Sequence, residues 1–480
     1  MFRTTMHEFL AKESPNFSIE LFERRGFRKL ICKALNKAQR FEQRECPLGA
    51  VFVTWIVLAL SLHRSKSYPN ILTAMLGLMR EIEPELSLRA VQPNSICDAR
   101  ARLGWEPMED LFHRHAQRID PKPSFLGLRT FGIDGVRFLL PDTPVNEWAF
   151  GRPDASRGEA AFPQMLGVAL VDTQSHMVKD IVFSECSDAE RPGCERLFHH
   201  LRRGDLGFID RGFAAVWLFN RWKKTGANFV GRIPSNWKPE HVRWLGKGDS
   251  IVRVHGPEDI PGTLKESGNG PKQREVTLTL RLVEFEIEPG RPVRLLTDLL
   301  DPVKYPARKL ALGYHERWET ELTYDEVKTH FATVTHGMLH TVFRSKTPEG
   351  VLQEAYGMIT AYNLVREVIA DAAQAHEIPA REISFVEALE VIKEALPRFQ
   401  RAAQSASPRT ERRRLVRQLF EDIAATRLTR PRRKRVYARV VKTKMSNFKL
   451  KRAQHGQELR DFQADLRLGR QRASNQGLPA

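Results

Sequence analysis

Hydrophobic and polar positions divide the chain into four stretches. In the first, apolar residues recur at three- and four-residue intervals over 21–41, and 51–62 is apolar almost throughout. These periods predict one amphipathic and one buried helix. The Ser65-Lys66-Ser67-Tyr68-Pro69-Asn70 run marks a turn, and 89–115 reads as a loop and two more helices, so residues up to about 120 look all-helical. From 127 the period drops toward two. Residues 127–142 and 164–185 read as a strand meander, followed by a helix over 193–203, a strand over 206–210, a helix over 214–224 and a strand over 228–233. Residues 235–256 and 274–299 break this alternation with β-patterned runs punctuated by Gly and Pro. Past 328 the helical period returns, in 347–378 and 384–403. A chain of 480 residues has room for two or three domains.

The densest chemistry lies between the insertion and the last helices. In 314–328, YHERWETELTYDEVK, Tyr314, Arg317, Glu321 and Lys328 stand at offsets 0, 3, 7 and 14. On a uniform helix of about 100° per residue they fall near 0°, −60°, −20° and −40°, one narrow stripe. A carboxylate between two cations and a phenol suits a surface that ligates a divalent metal and grips phosphate oxygens. A solvated helix laced with i,i+3 and i,i+4 pairs would read the same way. Further carboxylates come from strand-like surroundings. Asp134 sits mid-run among Phe131, Ile133, Val136 and Phe138, where a charge is costly unless paired or metal-bound. Asp210 closes the run Leu206-Gly207-Phe208-Ile209, at a strand end of an α/β pattern. Asp142, beside Pro141, and Asp205, after Gly204, compete on these grounds but look like turn residues.

On these residues the chain resembles the DDE transposases of bacterial insertion sequences. Asp134 in IDGVRFLLPD is similar to their first acidic motif and GDLGFIDRGF to the second. Tyr314-x2-Arg317-x3-Glu321-x6-Lys328 matches the YREK signature of the insertion sequence 4 family without a change in spacing. One departure is Val136, where the first motif often carries a small hydroxyl residue. The resemblance implies an α/β fold. A ribonuclease H-like catalytic core would be interrupted by a β-rich insertion and flanked by an N-terminal helical domain and a C-terminal helical, basic region. It implies that Asp134, Asp210 and Glu321 ligate two Mg²⁺ ions, or Mn²⁺ in their place, with Asp134 shared. It implies that Tyr314, Arg317 and Lys328 contact DNA, with Arg211 and Trp318 beside them, and that Trp237 or Trp244 could stack on a flipped base. The expected boundaries are 1–122 for an end-DNA-binding domain, 123–345 for the catalytic domain with its insertion at 233–292, 346–400 for a helical region, 401–460 for a basic DNA-binding segment and 461–480 for a disordered tail. The expected activity is cut-and-paste transposition: cutting at inverted repeats and transfer of 3′-hydroxyl ends to target DNA. A nuclease without strand transfer and a non-catalytic end-binding repressor are the alternatives.

Charge agrees with a double-stranded DNA partner. The net charge is +18, and 401–452 holds 18 Lys and Arg against three acids, the footprint of phosphate binding. Within it Arg432, Arg433, Lys434 and Arg435 form an unbroken run. Lys66, Arg89, Arg100 and Arg102 are N-terminal candidates for DNA contact, with surface solvation as their ordinary role. His336 and His340 lack an HExxH frame, and Cys32, Cys46, Cys97, Cys186 and Cys194 form no CxxC pair. No P-loop for a nucleotide is present, the longest apolar run (50–62) is too short for a membrane span, and no secretory signal opens the chain. Together these predict a bacterial cytoplasmic protein, associated with the nucleoid when on DNA, that works as a dimer in its DNA complex.

Overall fold

The computed structural model describes residues 18–42, 48–63, 66–81, 93–155, 158–260, 274–287, 292–330, 343–428, 435–436, 460–461 and 466–469. They fall into two compact units built from discontinuous segments. The first takes Met1–Lys122, Phe131–His200 and Glu319–Leu428, and the second takes Pro123–Thr130, Leu201–Trp318 and Thr429–Ala480. Arg89, Cys46, His336 and His340 lie outside the described residues. Among the described residues no helix is long and apolar enough to cross a membrane, and Cys32, Cys97, Cys186 and Cys194 are free thiols.

The first unit is a helical cluster with a three-stranded sheet. Helices Phe27–Lys37, Ala50–Leu62, Pro93–Leu103 and Glu106–Ala116 stand within the runs the sequence predicts as helical, whereas Tyr68–Arg80 starts inside the run expected to be a turn, with Pro69 in its first turn where no N–H is needed. All thirteen residues of Ala50–Leu62 are buried, as a run apolar on every side requires. Helix Pro348–Ala375 starts on a Thr347 cap, packs against several of these and lies largely buried. The meander forms β1 (Arg129–Leu139), β2 (Gln164–Asp172) and β3 (Val178–Glu185), antiparallel throughout, with Asp134 opposite Ala169 and Ala169 opposite Ile181. A short helix, Pro144–Phe150, capped by Thr143, fills the β1–β2 connection. The helix expected over 193–203 is Glu190–Arg196, and the 3₁₀ turn Phe198–His200 replaces its second half.

Two cationic stretches differ from their reading. Arg100 is buried. Its guanidinium meets Glu354 at 3.0 Å, Gln353 at 2.8 Å, Ser345 at 2.9 Å and the Tyr68 hydroxyl at 2.6 Å. It is a core ion pair and neither a surface charge nor a DNA reader, whereas Lys66 and Arg102 are exposed. Part of the basic segment is also structural. Pro408–Ala425 is a helix that buries Leu415, Leu419 and Ile423, an i, i+4, i+8 stripe, and Arg412 pairs with Glu20 at 2.5 Å.

Beneath the helix Trp318–Asp325 lies a buried polar network. His176 Nε2 donates to Glu319 at 2.7 Å, while Arg366 donates to His176 Nδ1 at 2.9 Å, which fixes the tautomer. Arg366 also bonds Glu326, and the Tyr362 hydroxyl donates to the same carboxylate at 2.7 Å. Glu319 and Glu326 are seven residues apart and share one side of the helix. Glu321 is two residues on in the α-helical part and Lys328 two residues on in the looser turn that follows, each roughly half a turn around, and so both lie on the opposite side.

The second unit carries β4 (Asp205–Ile209), β5 (Asn228–Arg232), β6 (Glu240–Gly246), β7 (Asp249–Pro257), β8 (Glu275–Glu286) and β9 (Pro292–Thr297), with helix Val216–Lys224 between β4 and β5. Strands β4 and β5 are parallel, as a strand–helix–strand crossover demands. The insertion continues from β5 as an antiparallel series in the order β5-β9-β8-β7-β6. Arg281, fully buried on β8, grips Asp249 bidentately at 2.7 and 2.6 Å and donates to the Tyr305 carbonyl at 2.7 Å. It thereby ties the insertion to the chain that leads into helix Ala307–Gly313.

Removing one partner of a buried pair leaves the other charge uncompensated. Arg100→Ala is therefore expected to destabilise the protein by about 3–5 kcal/mol, and Arg102→Ala, on the same helix but exposed, by less than about 0.5 kcal/mol. The shift of the urea unfolding midpoint measures both. Burial by itself would raise the Glu326 carboxyl, but the Arg366 guanidinium outweighs it and holds it at about 2 against its ordinary 4.5. A depressed carboxyl stabilises the fold above the unfolded value and ceases to do so as pH falls through the folded one. Stability should thus drop between pH 4.5 and 2. Thermal unfolding of Glu326→Gln should show a shallower loss over that window than the wild type.

Candidate active site

The structure assigns the predicted site residues to both units. The first holds Asp134, Glu321 and Lys328. Asp134 is half-buried at mid-strand in β1, and its Oδ1 accepts the N–H of Gly135 at 2.9 Å. Glu321 and Lys328 are half-buried as well. Two contacts draw the glutamate helix onto the aspartate strand. A Cβ at Gly132, two residues before Asp134 on the same face, would stand 1.8 Å from Oγ1 of Thr320, the neighbour of Glu321. Only glycine allows that approach. Tyr324, one turn beyond Glu321, donates its hydroxyl to the Asp134 carbonyl at 2.5 Å and accepts the Ala169 N–H at 3.2 Å. Burial lowers the Lys328 ammonium and the nearby Asp134 carboxylate opposes it, so the two charges sense each other.

The second unit holds Asp210, Arg211, Tyr314, Arg317 and Trp318. Asp210 is half-buried directly after β4, and although it precedes the 3₁₀ turn Arg211–Phe213 its side chain makes no cap bond there. The ordinary reading as a helix cap therefore does not account for it. The Tyr314 hydroxyl donates at 3.2 Å to the carbonyl of Ile209, the residue before Asp210. Burial pushes its phenol up, with Arg317 opposing. Arg317 is buried with its guanidinium 5.0 Å from the centre of the Trp318 ring, which is 41% exposed. Arg211 is exposed.

The helix behind the YREK spacing is not uniform. Tyr314–Arg317 is a 3₁₀ turn, Trp318–Asp325 is α-helical and Glu326–His330 is a π turn. The 3₁₀ pitch makes Tyr314 and Arg317 eclipse, closer than the 60° between them on an α-helix. The π turn starts at Glu326, where the carboxylate is drawn into the network with Arg366. A constant 100° step could not anticipate either change of pitch.

The rival acids have other duties. Asp205 is buried against Arg129 Nε at 2.7 Å and accepts the Arg202 N–H, and Asp142 pairs with Arg152 at 2.5 Å. Trp237 packs edge-on against Phe219, while Trp244 is exposed beside His241. Arg432, Arg433 and Lys434 lie outside the described residues, and Arg435 opens the two-residue strand Arg435–Val436. Tyr324, Glu319, Glu326, His176 and Arg366, which shape the site from below, were missed by the sequence reading. Only the seven-residue echo of Glu319–Glu326 beside Glu321–Lys328 hinted at them.

The donors that Asp134 and Glu321 offer are carboxylate oxygens, the chemistry of a hard divalent cation. Comparison with known proteins agrees. Residues 127–364 match the transposase DDE domain, and residues 18–113 match the N-terminal region of insertion element 4 transposases. The transposase InsG for insertion sequence element IS4 of Escherichia coli strain K12 is 29% identical over 423 residues, spanning 86% of this chain and 90% of its own. The structure of a piggyBac transposase synaptic complex with hairpin DNA aligns at a TM-score of 0.41 and 11% identity over 77% of this chain and 75% of that one, too weak to bear on the fold. The family uses divalent metal ions. With the acidic residues in the order Asp, Asp, Glu and the YREK spacing intact, this chain belongs to the insertion sequence 4 family of DDE transposases.

Proposed function

We propose that this protein carries out Mg²⁺-dependent cut-and-paste transposition in the bacterial cytoplasm, with two protomers pairing the inverted repeats of its element. The observation that carries this reading is the approach of the glutamate helix to β1 through Gly132, Thr320 and Tyr324, which sets Asp134 and Glu321 on facing elements. Asp134, Glu321 and Asp210 would hold two Mg²⁺ ions, which when bound activate the attacking oxygen and stabilise the leaving one in an in-line displacement at phosphorus. The chain's own residues do the remainder. Lys328, beside Asp134, offers a cation to a phosphate oxygen, while Arg211 and the Arg317–Trp318 pair present charge and an aromatic face to the strand.

No protein nucleophile is required. The Tyr314 phenol stays protonated at neutral pH because burial raises it, and its hydroxyl is bonded to the Ile209 carbonyl, so it positions the strand end that carries Asp210. Water attacks in cutting and a DNA 3′-hydroxyl attacks in joining. The cationic run from Arg432 to Arg435 would track backbone phosphates.

Glu321→Gln keeps the shape of the side chain and removes its charge. With the protein's own gene and flanking DNA on a plasmid, wild type should give Mg²⁺-dependent excision and joined products. The variant should give none while binding the flanks within a few-fold of wild type. Cleavage by the variant would overturn the assignment of Glu321. Cleavage without joining by wild type would favour a nuclease, and binding without any product would favour an end-binding repressor. Replacing Arg432, Arg433, Lys434 and Arg435 by Gln should flatten the plot of log affinity against log salt by up to about 0.9 per lost phosphate contact. An unchanged slope would remove this run from the DNA interface.

A further inference from the structure

The face of the β1–β3 sheet opposite Asp134 carries a second constellation of ligating groups. In this register Asp134, Ala169 and Ile181 share one face, so Ile133, Leu170 and Asp180 share the other. Asp180, on edge strand β3, is buried there, and the turn Phe198–His200 brings two consecutive histidines to it. His200 Nε2 stands 2.8 Å from Asp180 Oδ2 and His199 Nε2 stands 3.8 Å from the same oxygen. Ligand atoms of all three residues lie within 4.8 Å of one another. Around a zinc ion with bonds of about 2.0–2.1 Å, neighbouring ligand atoms of a tetrahedron are roughly 3.3 Å apart. The two separations bracket that value.

The surroundings prepare these atoms for a metal. His199 Nδ1 donates to the Arg196 carbonyl at 2.8 Å, which leaves Nε2 with its lone pair facing the carboxylate. The other oxygen of Asp180 is held in place by the Ile181 N–H at 2.8 Å and by His113 Nε2 at 3.2 Å. A carboxylate with one oxygen oriented by outer partners and the other facing two imidazole nitrogens is the arrangement of a built metal centre. His199 is exposed, which leaves an entry path and room for a water ligand.

We propose that Asp180, His199 and His200 bind one Zn²⁺ ion, with His113 as an outer positioning residue. Imidazole with a single carboxylate suits zinc, whereas the carboxylates of Asp134 and Glu321 suit magnesium. The ion would clamp the Phe198–His200 turn onto β3. His200 is the last residue of the first unit before the chain enters the second, so the clamp would fix the point of departure.

The test uses the full chain, stripped with a chelator, in an Asp134→Asn/Glu321→Gln background that disables the carboxylate site. Calorimetric titration with Zn²⁺ in the presence of millimolar Mg²⁺ should show one equivalent bound. His199→Ala, a change at an exposed side chain checked by circular dichroism, should weaken that equivalent by about 100-fold or more, above the roughly 10–100-fold cost of disturbing an outer partner. Co²⁺ in place of Zn²⁺ should give visible absorption that the same substitution abolishes. Absence of the zinc equivalent, or an affinity unchanged by His199→Ala, would overturn the proposal.

Discussion

The geometry of the first unit depends on how two glutamates are held on the buried side of one short helix. Glu319 and Glu326 face inward to His176 and Arg366, and the side chains two residues further on must therefore face the other way. Those side chains are Glu321 and Lys328. Buried charges are costly unless every donor and acceptor finds a partner, and here an imidazole, a guanidinium and the Tyr362 phenol supply them. The rotation of the helix about its axis is thus set by electrostatics, and its distance from β1 by sterics, through the Gly132–Thr320 contact.

The second unit solves a parallel problem with a different residue. Arg281, deep in the insertion, binds Asp249 across the neighbouring strand and the backbone around Tyr305. The segment that ends in Tyr314 and Arg317 is anchored by it, while Tyr314 reaches the end of β4 beside Asp210. In each unit a buried arginine lies below the groups assigned to DNA. The insertion thereby contributes rigidity to the chain that leads to the YREK residues.

Local order along the chain was legible and long-range pairing was not. A charge in the middle of Phe131–Phe138 and another closing Leu206–Ile209 stood out because strands bury what they carry, and both aspartates lie on or just after the strands so predicted. The meander, the crossover and most helices followed from periods of two and 3.6 residues. The 3₁₀ and π pieces on either side of Trp318–Asp325 escaped because a pitch change has no compositional mark. Arg100 looked like a surface cation because its partners Gln353 and Glu354 are some 250 residues away. The stripe Leu415–Leu419–Ile423 was hidden under the charge of its own helix. His176, Asp180 and His199 carry no local motif at all, and their partners meet them only in three dimensions.

His176 has a backbone φ of +63°, a left-handed conformation that costs a branched-at-Cβ or ordinary side chain about 1–2 kcal/mol and a glycine almost nothing. Backbone preference and side-chain duty therefore oppose each other at this position. A search for thermostable variants guided by dihedral statistics would nominate glycine or asparagine there, and either would take the imidazole away from the buried Glu319 carboxylate for the sake of a relaxed turn. The site of greatest apparent local strain in the loop after β2 is in this sense an evolutionary lock, one in which the cheaper residue for the loop is the more expensive one for the molecule.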